Sequence, residues 1–424
     1  MTDFVVVGGG VGGLVAARRL VLAGRSVTLL EASERLGGTV TSHTVGGIVL
    51  DAGAESFATR GGTVVALAKS LGLGDDVVEP LAEGAWLQPA EGAAFRLPEN
   101  SLLGIPSWPL ASDVIAAIGF RSAFRAYVES LIPAPYGAKS VTLGELVRRR
   151  MGSDVVDRLV NPIVRGVHSV DADELELDAA APGLRKALLR VGYLAGAVAD
   201  LRQTSARAGS AVAGIRGGVH RLVDNLGSDL SRFGVDVRLG VSAASVKADS
   251  VTTADGERID GTVIVAAPGL LGGGTAPGRR VVLATLVVDE PRLDAAPRGT
   301  GVLVADGAPG IRARALTHAT AKWRWLAEAA EGKHVLRLSY DADAADDVDL
   351  AEIARADASA LLGVPLDPSS TVDFARVAWY RPGRERYTPN GMLVVGETIA
   401  GTGIASIVAQ SEALAGSLVD DSNG

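Results

Sequence analysis

The sequence predicts an α/β protein: a parallel-sheet domain assembled from stretches far apart in the chain, an α+β sheet domain and a helical subdomain. Three observations carry this. The run "FVVV" at 4–7 is continuously apolar, as a strand buried on both faces requires, and passes through "GGGVGG" into the helix-like "LVAARRLVLAG". A second apolar run, glycine turn and helix recurs at the far end, in "MLVVGETIAGTGIA" at 392–405. Between them, helix-spaced residues over 107–203 give way to strand-like runs over 279–378. With 424 residues, 47% of them apolar and 21% charged, the chain has enough material for two or three compact units.

The elements follow in order. Gly8, Gly10 and Gly13 satisfy GxGxxG between a strand and a helix. The first glycine permits the tight turn, the second lets backbone approach a pyrophosphate, and the third lets helix and strand pack closely. A second strand, "SVTLLE", ends in Glu31, 23 residues past Gly8, where an acid can accept hydrogen bonds from a ribose. Strand, turn, helix, strand and acid in this register predict a Rossmann-like dinucleotide site; the competing reading is a tight turn with no ligand. In the helical stretch, Thr142 and Glu145 form a capping-box pattern, Pro162 predicts a kink in "SDVVDRLVNPIVRGV", and Pro182 starts a further helix. Over 217–234, Val219, Leu222, Val223, Leu226 and Leu230 recur at helical spacing, followed by "VDVRLG", a hairpin turning at Asp255 and Gly256, and the strand "TVIVAAP". "RRVVLATLVV", "TGVLVAD", "HVLRLSY" and "TVDFARVAWY" read as strands, with a helix at 349–362.

Composition narrows the chemistry. The formal charge is -8 and no long basic run appears beyond Arg148, Arg149 and Arg150, which argues against a nucleic-acid partner. There are no cysteines, so disulfides, thiol nucleophiles and cysteine-held metals are excluded. The five histidines (43, 168, 220, 318 and 334) show no metal-ligand spacing, so no metal is expected. The chain enters its first strand without a basic, apolar leader, and no apolar run approaches the roughly 18 residues of a membrane span. A cytoplasmic location is expected, compatible with peripheral membrane contact.

After Glu31 the chain continues "EASERLGGTVTSHTVGGIVLDAGAES", with Arg35 and the pair Gly37 and Gly38. This resembles the flavoprotein family of amine oxidases, phytoene desaturases and protoporphyrinogen oxidases, in which such a pair brings backbone close to FAD. "LDAGAESFATR", "LPENSLLGIPS", "NPIVRGVHSVDADEL" and "THATAKWRWL", in this order, resemble the porphyrinogen oxidases in particular, and the soluble bacterial branch that oxidises coproporphyrinogen III. The resemblance covers nearly the whole chain. It implies an FAD domain from 1–78, 206–268 and 372–424, a substrate-binding sheet domain from 79–106 and 269–371, and a helical subdomain at 107–205. It implies FAD held without a covalent link by Gly8, Gly10, Val11, Gly12, Gly13, Glu31, Ala32, Arg35, Gly38, Thr39, Gly53, Ala54, Glu55, Ser56, Ala243 and Trp379. At the far end Gly396, Glu397, Gly401, Gly403 and Ile404 would complete the site.

The resemblance also implies oxygen-dependent oxidation of coproporphyrinogen III to coproporphyrin III in haem biosynthesis, with transient contact to downstream haem-pathway enzymes. No catalytic side chain is assigned, because the flavin accepts the hydride. Arg60, Arg96, Arg165 and Lys322 are the candidates for the substrate's propionates. His168 stands where relatives carry tyrosine and reads as a packing residue. Three other readings compete: a protoporphyrinogen IX oxidase, an amine oxidase with an aromatic cage from Trp379, Tyr380 and Tyr387, and a non-catalytic flavin-fold binding protein. Two departures from the family stand out. Only 14 residues separate Trp379 from Val394, and Glu397 occupies a position where a carboxylate needs a partner such as Arg384 or Arg386.

Overall fold

The computed structural model describes residues 2–168, 170–206, 212–270, 279–342, 349–381, 391–401 and 403–421. The chain divides into two compact units. One is built from residues 1–80, 211–281 and 377–424, the other from 81–210 and 282–376.

The first unit centres on a five-stranded parallel sheet in the order Asp236–Arg238, Val27–Leu30, Phe4–Val7, Thr262–Val265, Leu393–Val394. The expected α/β class and the discontinuous assembly are both visible here, since strands from three regions of the chain share one sheet. Successive strand residues face opposite sides, and the core divides accordingly. Phe4, Val6, Val27, Leu29 and Ile264 pack in one cluster with the helices Val11–Leu22, Arg221–Arg232 and Ile404–Asp421. Val5, Val7, Leu30, Val263 and Val265 pack in another, with Val251 and Ile259 of a small antiparallel sheet. Both faces are covered, which is why these strands read as unbroken apolar runs. The hairpin turns at Asp255 and Gly256 as expected, closed by the Gly256 amide donating to Thr253 C=O at 3.1 Å. The 217–234 pattern becomes a shorter helix, Arg221–Arg232, because Gly217 and Gly218 take positive φ and hold the chain in a turn first.

The second unit carries a seven-stranded sheet in the order Thr371–Arg381, Arg279–Val288, His334–Asp341, Ala315–His318, Gly301–Val304, Trp86–Gln88, Phe95–Arg96. Helix Leu350–Leu362 contributes Leu350, Ala354, Ala358 and Leu361 to its core and is capped by Asp349, whose side chain accepts from the Glu352 amide. A separate core unites the helices between Ser112 and Ala206. There Thr142 caps Leu143–Met151 by accepting from the Glu145 amide at 3.2 Å. The reciprocal bond of the expected box falls one residue earlier, from Val141 N–H to Glu145 Oε2 at 2.9 Å. The kink expected at Pro162 is taken up as a π turn, Val156–Val160, immediately before helix Asn161–His168. Proline has no N–H to donate, and the wider turn relieves the clash of its ring with the carbonyl four residues back. Pro182 lies in a turn two residues ahead of its helix, Leu184–Val191, rather than opening it.

Candidate functional site

The GxGxxG turn is built by steric necessity at two of its glycines and by open space at the third. Gly8 has φ +111°, and a methyl on it would stand 2.9 Å from the Ala266 carbonyl carbon. A methyl on Gly13 would stand 2.0 Å from Gly8 O, so helix and strand could not pack. Around Gly10, by contrast, an added methyl would meet nothing within 4 Å. Gly10 is also the N-cap of Val11–Leu22 and offers no side chain to the first-turn amides. Those amides, with the positive end of the helix dipole, form an anion-binding surface.

Glu31 sits where the second strand ends, half-buried. One carboxylate oxygen accepts from the Gly9 amide at 2.7 Å, the other from the amide and hydroxyl of Ser33 at 2.8 and 2.7 Å. Oε1 is thereby fully used, while Oε2 retains acceptor capacity for a hydroxyl ligand.

The loop bearing Gly37 and Gly38 is fastened to this turn. The Gly37 amide donates to Gly9 C=O at 2.7 Å, and a methyl on Gly38, whose φ is +59°, would lie 3.6 Å from Gly10 Cα. Arg35 serves its own loop, donating to Gly38 C=O at 3.0 Å; Ala32, Gly38 and Thr39 are exposed. Gly53 packs so closely that a methyl there would reach 2.2 Å from Thr39 O. Ala54 is exposed, and Glu55 and Ser56 are half-buried.

Two further residues tie strand Ile48–Asp51 to the turn before helix Arg221–Arg232. Buried Asp51 accepts from the amides of Val219 and His220, both at 2.9 Å, and lies 3.0 Å from His220 Nδ1. Sequence reading missed this pair, whose residues stand 169 apart in the chain. The glycine pair before "VH" was its one local signal.

The C-terminal turn meets the N-terminal one directly. A methyl on Gly12 would stand 3.0 Å from Gly396 Cα. Gly396 itself has φ +101° and leads into the short helix Glu397–Ala400, which Gly401 ends at φ +80°. Gly403 then precedes Ile404, the buried first residue of the long helix Ile404–Asp421. Ala243 is half-buried and packs with the cluster holding Val5, Val7 and Val265, as does Met392. Trp379 is half-buried on strand Thr371–Arg381. Glu397 is half-buried, while Arg384 and Arg386, proposed as its partners, and Tyr387 of the aromatic cage lie outside the described residues. The side chains of Tyr380 and His168 do too.

The four candidate substrate cations have different environments. Arg60 is exposed and forms no ion pair among the described residues. Arg96 pairs with Glu99 at 3.1 Å, both largely exposed. Lys322 Nζ lies 5.1 Å from the ring centre of Trp323. Arg165 pairs with both Asp171 and Asp306, and its hydrogen bond holds the Asp171 carboxyl below the ordinary range. Arg165 also lines a cavity of about 640 Å³ with Leu87, Phe95, Arg158, Asn161 and Asp306; Arg96 and Lys322 are not among its walls. Among the described residues no three histidines or acids are grouped to hold a metal ion, and no helix is long and apolar enough to cross a membrane.

The open face at Gly10, the adjoining glycine loop and the anchored Glu31 fit a dinucleotide's pyrophosphate and ribose. Residues 11–270 match the family of flavin containing amine oxidoreductases. The chain is 30% identical to the coproporphyrinogen III oxidase of Mycobacterium leprae (strain TN), over 96% of this chain and 93% of that protein. It is 27% identical to the coproporphyrinogen III oxidase of Propionibacterium freudenreichii subsp. freudenreichii, a match spanning 69% of this chain and 60% of that one. In fold it is similar to the "Putative protoporphyrinogen oxidase" from Exiguobacterium sp. 255-15, with a TM-score of 0.82, 22% identity and 99% of each chain covered. The chain therefore belongs to the flavin containing amine oxidoreductases and, within them, to the porphyrinogen oxidases.

Proposed function

We propose that this protein oxidises coproporphyrinogen III to coproporphyrin III, using non-covalently bound FAD and dioxygen, in haem biosynthesis. The observation that carries this is the 30% identity to a coproporphyrinogen III oxidase along nearly the full length of both chains. When bound, FAD would supply two-electron oxidation of the porphyrinogen by hydride acceptance, with dioxygen as the final electron acceptor. The residues' part is to bind and orient. The first-turn amides of Val11, Gly12 and Gly13 face the pyrophosphate at the open side of Gly10. Glu31 accepts a ribose hydroxyl with the remaining lone pair of Oε2. Gly396, Glu397, Gly401, Gly403 and Ile404 present backbone to the flavin end, Gly53 to Ser56 flank it, Trp379 packs against it, and Ala243 contacts the adenine.

A porphyrinogen is electron-rich, and its pyrrole N–H is lost readily once a hydride has left, so no dedicated base is required. Its propionates need cations. Arg60, accessible and unpaired among the described residues, suits that role better than Arg165, whose charge two carboxylates offset; Lys322, beside an indole, is a further candidate. Arg96 is the fourth candidate, with Glu99 as competitor. On this proposal the enzyme works in the cytoplasm and hands its product to the next enzyme of haem synthesis.

The test is to incubate the purified protein aerobically with coproporphyrinogen III and, separately, with protoporphyrinogen IX, following porphyrin fluorescence and bound flavin. Faster fluorescence growth with coproporphyrinogen III is expected. Preference for protoporphyrinogen IX would overturn the substrate assignment alone. Bound FAD without fluorescence from either substrate would overturn the oxidase, and absence of FAD would overturn the cofactor assignment.

A further inference from the structure

Strand Leu393–Val394 is the edge of the parallel sheet. Its inner side is paired, with the Val395 amide donating to Val265 C=O at 2.9 Å. In a strand, the groups flanking an inward-bonded residue point outward, so Val394 C=O and Gly396 N–H face the unpaired side. One side chain meets both. Gln410 Nε2 donates to Val394 C=O at 2.9 Å, and Gln410 Oε1 accepts from Gly396 N–H at 3.2 Å. A neighbouring parallel strand would bond to Val394 and Gly396 in the same way, donating to one and accepting from the other. The carboxamide thus stands in for a missing strand, since it carries both the donor and the acceptor.

The clamp falls at a sensitive place. Gly396 is the residue whose Cα lies 3.0 Å from where a methyl on Gly12 would stand, in the first turn of the first helix. Its φ of +101° is one the chain leaves easily without restraint. Gln410 belongs to the same helix, Ile404–Asp421, whose entry at Gly403 and Ile404 is assigned to the flavin end. We propose that Gln410 is a positioning residue for the cofactor: its carboxamide fixes the strand end and the Gly396 turn against the Gly12 turn, so that both backbone surfaces contact one flavin. This rests on the flavin site proposed above.

Three variants test it by FAD titration and by the absorbance envelope of the bound flavin. Gln410→Met keeps the length and loses both bonds; a dissociation constant raised about tenfold or more, with an altered envelope, is expected. Asn225→Leu is the control. It removes a different side-chain clamp in the same unit, Asn225 Nδ2 to Leu71 C=O at 3.0 Å, and should lower the melting temperature while FAD affinity stays within about twofold. Gln410→Glu keeps the acceptor and loses the donor, so its affinity should recover as the pH is lowered and the carboxyl gains a proton to donate. This variant decides the matter if the Met variant does not fold. Unchanged FAD affinity and envelope in Gln410→Met overturn the proposal, as does a Gln410→Glu variant whose affinity does not respond to pH. If the unaltered protein binds no FAD, the flavin site itself is overturned, a result distinct from either.

Discussion

Gly10 and Gly13 belong to one motif but are glycines for different physical reasons. Gly13 must lack a side chain for the protein to fold, since a methyl would reach 2.0 Å from Gly8 O. Gly10 has open space around it, and its lack of a side chain serves only what approaches from outside. Gly13→Ala should therefore lower the melting temperature markedly, in the range of severe core overpacking, about 1–3 kcal/mol or more. Gly10→Ala should melt near the unaltered temperature yet bind FAD at least about tenfold more weakly, read by titration. Equal FAD affinity in Gly10→Ala would remove the pyrophosphate from this face. The motif and Glu31 were legible because each is set by neighbours close in sequence. Asp51, His220 and Gln410 were not, since an acid, a histidine and an amide carry no local mark of the distant amides they bond.

At the scale of elements, the helices between Ser112 and Ala206 depend on a buried charge that composition conceals. Arg150 reads in sequence as one of three consecutive cations, yet its side chain and that of Glu129 are 0% and 1% exposed. Glu129 accepts from Arg150 Nε at 2.7 Å and from the Ala195 amide at 2.9 Å, while Arg150 donates to the carbonyls of Glu129, Ile132, Pro133 and Tyr136. One pair thus joins the segment 129–136, the Leu143–Met151 helix and the start of Leu194–Ala206. Glu129→Ala leaves the guanidinium buried without its counter-charge, and thermal melts should show a loss of about 3–5 kcal/mol. Asp173→Ala, which removes the exposed partner of Arg148, should cost about 1 kcal/mol or less. Element identity was legible from periodicity and capping residues, whereas Pro162 gave the position of a distortion without saying that it would be a π turn.

For the whole molecule, pH should act through a buried histidine chain in the sheet of the second unit. His318 Nε2 lies 3.1 Å from His334 Nδ1, and His334 Nε2 lies 3.2 Å from Asp294 Oδ1. Burial, with the neighbouring His334 adding to it, lowers the pKa of His318 from 6.5 to about 3; burial also lowers that of His334, against the opposing pull of Asp294. Below pH 6.5 the unfolded chain takes up a proton that folded His318 refuses until about 3. Stability is therefore full above 6.5 and is lost progressively toward 3, at no more than about 1.4 kcal/mol per pH unit for this group. Urea midpoints at about pH 7.5 and about pH 5 should show the fall, and His318→Gln should flatten it; an unchanged slope would assign the acid sensitivity elsewhere. By itself the sequence determined the α/β class and the strand, turn and helix devices at the two ends of the chain, because apolar periodicity, glycine spacing and capping residues act over a few positions; the family came from the resemblance of its motifs. Only the tertiary structure decided that the two glycine turns touch at Gly12 and Gly396, that Arg150 is a core residue, that Arg165 is neutralised, and that Gln410 completes an edge strand. Each of these depends on which distant backbone or charge lies opposite, and that is fixed when the separated strands assemble into one sheet.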